Sequence, residues 1–207
     1  YCASLDQDVS SGVPDLSGND RHMTISGTLA VVSESGSGGT HAYDDTDLVE
    51  AIHDINGYFS HSDSLLGGFT CSYWVKFDSS SGDAWPVGFQ GQSSPPSSYY
   101  KGLSAGFIRD DSGASTVFRA ALSGWNDSDA SIEPDFTQLG SISADNWHHI
   151  LITGDSAQYL YVNGVYQGGE TGLWSYSASQ HDKLWLGCDG ESLVDDVRYW
   201  DRELTAS

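Results

Sequence analysis

The amino-acid sequence predicts an all-β chain, an antiparallel two-sheet β-sandwich of about twelve to fourteen strands. Three observations lead there. The composition is the first. Of 207 residues 24 are Gly, aromatics make up 12%, and Val, Ile, Thr and Tyr recur in short runs. Branched and aromatic side chains fit a pleated surface, and glycine marks turns. The second is an unbroken alternation over Phe69 to Phe77. Phe69, Cys71, Tyr73, Val75 and Phe77 interleave with Thr70, Ser72, Trp74 and Lys76. A period of two places the apolar set on one face, toward a core. Trp74 on the other face implies that this face is partly covered as well. The third is a set of tight-turn signals, Gly154-Asp155 and Asn163-Gly164, between strand-like runs.

Each element follows in order. Residues 1–6 read as a first strand, and 7–21 as a turn-rich loop carrying Gly12, Pro14 and Gly18. Met23 to Val32 reads as strand, and Ser33 to Thr40 as a Gly/Ser loop. Asp44 to Ile55 fits two patterns. Leu48, Ile52 and Ile55 make a helical stripe, while Val49 to His53 alternates like a strand. After Phe77 a long loop over 78–101 carries Pro95-Pro96 and Tyr99-Tyr100. Strands are expected near 103–109 and 115–122, then a loop over 123–141 with Trp125 and many acidic residues. His148 to Thr153 and Gln158 to Val162 form a hairpin, and Asn163-Gly164 turns the chain into Val165-Tyr166-Gln167. Lys183 to Leu186 and Leu193 to Trp200 close the fold. No repeat or linker interrupts the chain, so residues 1–207 read as one domain. A chain of this size buries roughly 70% of its unfolded surface and needs no covalent staple.

Charge narrows the partners. Asp and Glu number 29 against 8 Lys and Arg, a formal net charge of −21. Phosphate binding needs a basic patch, so nucleic acid is not an expected partner, and neither is an anionic membrane. The acidity reads as a solvated surface suited to salt water, or in part as oxygen ligands for divalent cations. No apolar run approaches the ~20 residues that membrane insertion needs. With no signal peptide and no initiator Met, the chain reads as a mature secreted protein or a module of a larger one. Cys2, Cys71 and Cys188 are odd in number, so at least one is free or pairs with another chain. None has C-x-x-C spacing, so zinc is not expected.

Three phrases carry a resemblance. Val13-Pro14-Asp15-Leu16-Ser17-Gly18-Asn19 stands near the start. Asn146-Trp147-His148-His149-Ile150 runs on to Tyr161-Val162-Asn163-Gly164, and Val194-Asp195-Asp196-Val197-Arg198-Tyr199-Trp200 stands near the end. In this order and spacing the chain resembles the laminin-G-like jelly rolls of the concanavalin A-like lectin/glucanase class, over nearly its whole length. Phe69-Thr70-Cys71-Ser72-Tyr73-Trp74-Val75-Lys76 is similar to a strand phrase of the same family. The resemblance implies an extracellular module that binds glycan or protein, since few members are enzymes. It implies a structural calcium ion where the first loop meets the last strand. That assigns Asp15, Asn19 and Asp195, with backbone carbonyls of 17–22 and Asp6 as a weaker ligand. It also implies a Cys2–Cys188 pair if the first and last strands lie side by side. The alternative is buried apolar thiols. In the family a Trp-His pair such as Trp147-His148 is structural.

The residues themselves are compatible with a cation. Calcium takes six to eight oxygens. Asp15 and Asn19 offer a carboxylate and an amide around Gly18, and alternation points Asp195 inward with Val197 and Tyr199. A buried carboxylate needs a partner. The alternative is an Asx-turn at Asp15 and Asn19, with Asp195 accepting backbone amides.

Catalysis is not expected. The glucanase pattern E-x-D-x-x-E begins at Glu133-Pro134-Asp135, but its third position is Gln138, and proline is unsuited to a central strand. No G-x-S-x-G, P-loop or H-E-x-x-H occurs. Sugar sites need exposed aromatic faces beside amides or carboxylates. Three loop clusters qualify: Trp125-Asn126-Asp127, Trp174-Ser175-Tyr176 and Tyr99-Tyr100. Each alternatively folds over its own loop. Asn126-Asp127-Ser128 is also an N-glycosylation sequon, and a glycan on Asn126 would compete with binding at Trp125. The expected function is a non-catalytic carbohydrate-binding or adhesion module. The alternative is a structural subunit of an extracellular fibre, appendage or virion, whose loops contact identical subunits or other modules. Glycoside hydrolysis ranks third.

Overall fold

The computed structural model describes residues 16, 24–26, 30–33, 35–39, 42–44, 50–54, 69–77, 84–90, 103–110, 117–124, 135–154, 157–171, 183–186, 192–200 and 202–204. These form β1 (Thr24–Ser26), β2 (Ala30–Val32), β3 (Ala42–Asp44), β4 (Glu50–Asp54), β5 (Phe69–Phe77), β6 (Ala84–Gln90) and β7 (Leu103–Asp110). They continue as β8 (Val117–Gly124), β9 (Asp135–Ile142), β10 (His148–Gly154), β11 (Ala157–Val162), β12 (Val165–Thr171), β13 (Lys183–Leu186) and β14 (Ser192–Trp200). Every paired neighbour is antiparallel. One sheet has the order β1-β4-β13-β6-β7-β8-β9, the other β12-β11-β10-β5-β14-β3-β2. Strands β10, β11, β12 and β14 of the second sheet approach β7, β8, β9 and β6 of the first.

Several expectations are corrected. Met23 to Val32 holds two strands rather than one, and the 44–55 stretch, which fitted two patterns, contributes the last residue of β3 and the whole of β4, as its strand reading had it. Inside the expected loop 78–101 lies β6, which contains Pro86. The β6–β7 register shifts between Ala84 and Val87, so a bulge takes up the proline and its missing N–H. Inside the expected loop 123–141 lies β9, which begins immediately after Pro134. It is an edge strand with polar Thr137, Gln138 and Ser141, and pairing with β8 makes it a strand despite weak local propensity. The expected first strand, residues 1–6, lies outside the described residues.

The core side of the second sheet is built as the alternation predicts. Phe69, Cys71, Tyr73, Val75 and Phe77 are all buried. Tyr73 faces Ile150 across the ladder and Cys71 faces Ile152, while Leu160 and Val162 continue the layer on β11. Burying side chains of this size stabilises by about 1.5–3 kcal/mol each. The Cys71 thiol is free, and burial pushes its pKa up to about 12. It therefore behaves as an apolar core group.

The last strand departs from strict alternation. Val194 pairs with Val75 and Asp195 with Trp74, but the register shifts before Arg198 pairs with Ser72. Asp196 sits in the left-handed region at φ 48° and supplies the extra residue of a bulge. As a result Val194, Val197 and Tyr199 are all buried with the core. Alternation predicted Asp195 on their face, and the bulge places it elsewhere. It shares the opposite face with Trp74.

Candidate functional site

That opposite face of the second sheet has two ends. The register fixes three rows across it. His149, Trp74 and Asp195 form one, Tyr166, Tyr161, Leu151, Ser72 and Arg198 the next, and Gly169, Tyr159, Thr153, Thr70 and Trp200 the third.

The β5–β14 end is covered. The segment joining β2 to β3 folds over it, and a Cβ added at Gly36 would lie 2.5 Å from Trp147 Cε3 and 2.9 Å from Trp74 Cβ. Glycine is thus the residue that lets the loop seat on both indoles. The same loop buries Asp195, which is 2% exposed, and satisfies it. Ser35 Oγ donates to Asp195 Oδ2 at 2.6 Å, Ser37 Oγ at 2.8 Å and Ser37 N at 3.1 Å. Below, Thr70 Oγ1 donates to the Arg202 carbonyl at 2.9 Å and accepts from Leu204 N at 2.9 Å, which ties the chain after β14 to β5.

The β11–β12 end is open. Tyr166 is 55% exposed and Val165 62%, while Tyr159, Tyr161 and Leu151 are half-buried. The Tyr166 ring centroid is 5.5 Å from that of Tyr161 and 6.3 Å from that of Tyr159, both tilted by about the same angle, 53° and 55°. Tilted rings at this spacing attract edge to face. Local sequence produces the cluster. Asn163 at φ 51° and Gly164 at φ 77° make the two-residue hairpin turn, and Asn163 accepts from His149 N through Oδ1 at 2.9 Å. A register shift between Leu160 and Tyr161 then lets Tyr166 sit opposite Tyr161. Gly169 leaves room for Tyr159, since a Cβ there would lie 2.7 Å from the Tyr159 ring. Trp74 and His149, with centroids 5.2 Å apart, border the cluster on the covered side.

Asp196 and Arg198, near this face, are paired with each other. Asp196 holds the Arg198 guanidinium at two points, Oδ1 to Nε at 3.0 Å and Oδ2 to Nη2 at 2.9 Å. Burial lowers the His149 pKa, with Asp196 opposing and Arg198 adding to the shift. His148 is buried among the core groups, as a structural role requires. Its Nε2 meets the Ser143 carbonyl at 2.7 Å, and its Nδ1 meets Asn163 Nδ2 at 3.2 Å.

Of the site residues expected from sequence, Asp195 is described. Asp6, Asp15 and Asn19 lie outside the described residues, as do Tyr99, Tyr100, Trp125, Asn126, Trp174, Tyr176, Cys2 and Cys188. Leu16, between Asp15 and Asn19, is in a turn and 48% exposed. Three donors, from Ser35 and Ser37, meet Asp195 at Oδ2. The tyrosine cluster was missed by sequence reasoning. Tyr159 and Tyr161 alternate with core positions Leu160 and Val162, and that spacing was the available signal.

An antiparallel all-β fold with an open aromatic sheet face is that of a lectin-like domain. A family model described as the concanavalin A-like lectin/glucanases superfamily, of laminin-G type, matches residues 53–207. The chain belongs to that family. No curated protein sequence matches it. Among solved structures, it is similar to the receptor binding domain of botulinum neurotoxin C/D mosaic serotype. That match has a TM-score of 0.64 and 13% identity, and covers 99% of this chain and 48% of that one. It is also similar to the binding domain of Paraclostridial Mosquitocidal Protein 1, with TM-score 0.60, 15% identity and 99% and 49% coverage. A third is the botulinum neurotoxin serotype D ligand binding domain in complex with N-acetylneuraminic acid, with TM-score 0.62, 11% identity and 99% and 47% coverage. The chain spans about half the length of these solved chains. At such identities the likeness is one of fold.

Proposed function

We propose that this chain is an extracellular, non-catalytic glycan-binding module. The observation that carries the reading is the open cluster of Tyr159, Tyr161 and Tyr166 on a sheet face. Pyranose rings present C–H faces that stack on aromatic rings, and hydroxyls that neighbouring polar groups can bind. The similar structures are receptor and ligand binding domains, one of them in complex with N-acetylneuraminic acid, which supports the same ligand class. The non-catalytic reading is supported by two carboxylates described on this face. Asp195 is held by serines and Asp196 by Arg198, so neither is set up as an acid or nucleophile.

In the same reading the two sheets stack as a jelly-roll sandwich, supported by the approach of β10 to β7 and β14 to β6. The 207 residues form one domain of a larger protein, in keeping with the partial coverage of the similar chains. The calcium proposal rests on Asp15, Asn19 and Asp195, with Asp6 as a weaker ligand. Among the described residues no helix is long and apolar enough to cross a membrane.

A second reading, a building block of a fibre, appendage or virion, draws on one feature. β12 is the edge of its sheet and carries the exposed Val165 and Tyr166 at its start.

The test is a glycan array with the parent, Tyr166→Ala, Trp125→Ala and Trp174→Ala. The parent is expected to bind, and Tyr166→Ala to lose at least about 1 kcal/mol of binding with its melting midpoint unchanged. A loss confined to the Trp variants moves the site to the loops. A parent that binds no glycan but sediments as an oligomer that Tyr166→Ala dissolves establishes the building block instead.

A further inference from the structure

We propose that the tyrosine face selects neutral sugars and rejects acidic ones. This rests on the glycan reading above and specifies its ligand. Recognition of a sugar carboxylate or sulfate calls for an uncommitted cation within reach, as bidentate arginine sites provide. The molecule has eight Lys and Arg in all. Arg109, Arg119 and Lys183 belong to strands of the other sheet, and Arg21 and Lys101 lie outside the described residues. Among the described residues that leaves Lys76, Arg198 and Arg202 on or beside the face.

Arg198 is in the tyrosine row, but Asp196 clasps it at two points, so its fork is already filled by a carboxylate. Lys76 has an interaction of its own and lies at the far end of β5. Arg202 is exposed and anchored through its carbonyl to Thr70. Thr70 is two strands from Tyr159, about 10 Å at the usual strand spacing. His149, which borders the cluster, is held toward its neutral form by burial. Around all of this stands a net charge of −21, whose repulsion acts over about 8–10 Å at ordinary ionic strength. What remains on the open face is three tilted aromatic rings and hydroxyls, which suits an uncharged pyranose offering one apolar side.

The experiment uses matched glycan pairs. Each pair is a neutral galactose- or N-acetylhexosamine-terminated glycan and the same glycan capped with N-acetylneuraminic acid. The parent is expected to bind the neutral member at least about fivefold more tightly at low salt, with the gap narrowing in ~0.5 M NaCl as repulsion is screened. Tyr166→Ala is expected to weaken the neutral member and so shrink the gap. Equal or tighter binding of the acidic member overturns the inference and leaves the glycan reading standing, and loss of that binding in Arg202→Gln would identify the cation responsible. A neutral preference untouched by Tyr166→Ala overturns the assignment to this face. Binding of neither member overturns the inference and the glycan reading together.

Discussion

Asp195 and His149 sit on the same sheet face and meet opposite fates. Asp195 is buried, and the hydroxyls of Ser35 and Ser37 with the Ser37 N–H take the place of water at its Oδ2. At His149 burial disfavours the imidazolium and lowers its pKa from the ordinary 6.5, against the opposing pull of the Asp196 carboxylate. The consequence for stability has a definite sign. Above about pH 6.5 the ring is neutral in both states and the folded chain has its full stability. As the pH falls through that value toward the lower folded pKa, the unfolded chain takes up a proton first, and stability is lost. The urea midpoint is therefore expected to fall between about pH 7 and pH 5, and His149→Gln to flatten that part of the curve. An unchanged slope in the variant would remove His149 from the account.

Among elements, the β2–β3 connection does more than join strands. It reaches across the face to seat Gly36 between Trp147 and Trp74, and Ser35 and Ser37 over Asp195. A methyl group at Gly36 has nowhere to go, because Trp74 Cβ cannot swing away from its own backbone. Gly36→Ala is expected to destabilise by about 1–3 kcal/mol, as overpacking does. Lifting the loop also takes the serines from Asp195. The cost of Gly36→Ala combined with Asp195→Asn should then fall short of the sum of the single costs. Strict additivity in a double-mutant cycle of urea melts would show that loop and carboxylate are independent.

At the scale of the molecule, the charge dominates. With 29 acidic and 8 basic side chains, most carboxylates repel one another across the surface. Raising salt from ~20 mM to about seawater strength is expected to raise the melting midpoint at constant free calcium. A flat or falling curve would mean that the charges are compensated locally. The same instrument decides the calcium proposal. If Asp15, Asn19 and Asp195 bind the ion in the folded state alone, calcium at a hundredfold excess over Kd adds about 2.7 kcal/mol over chelator at equal ionic strength. Equal midpoints retire the ion.

The sequence alone determined the β character of the chain, the core set of Phe69 to Phe77, the hairpin at Gly154 and the turn at Asn163-Gly164. These features are local. Period-two alternation and left-handed turn residues carry their own physical instruction. The edge strand β9 and the bulged β6 were hidden, because their partners rather than their own residues make them strands. Asp195 shows the limit most clearly. One extra residue at Asp196 slips the register, and a period of two turns that slip into the opposite face. The tyrosine cluster lies beyond the same limit. Tyr159, Tyr161 and Tyr166 come together through a bulge and a glycine on a neighbouring strand, and long-range pairing decides such a meeting.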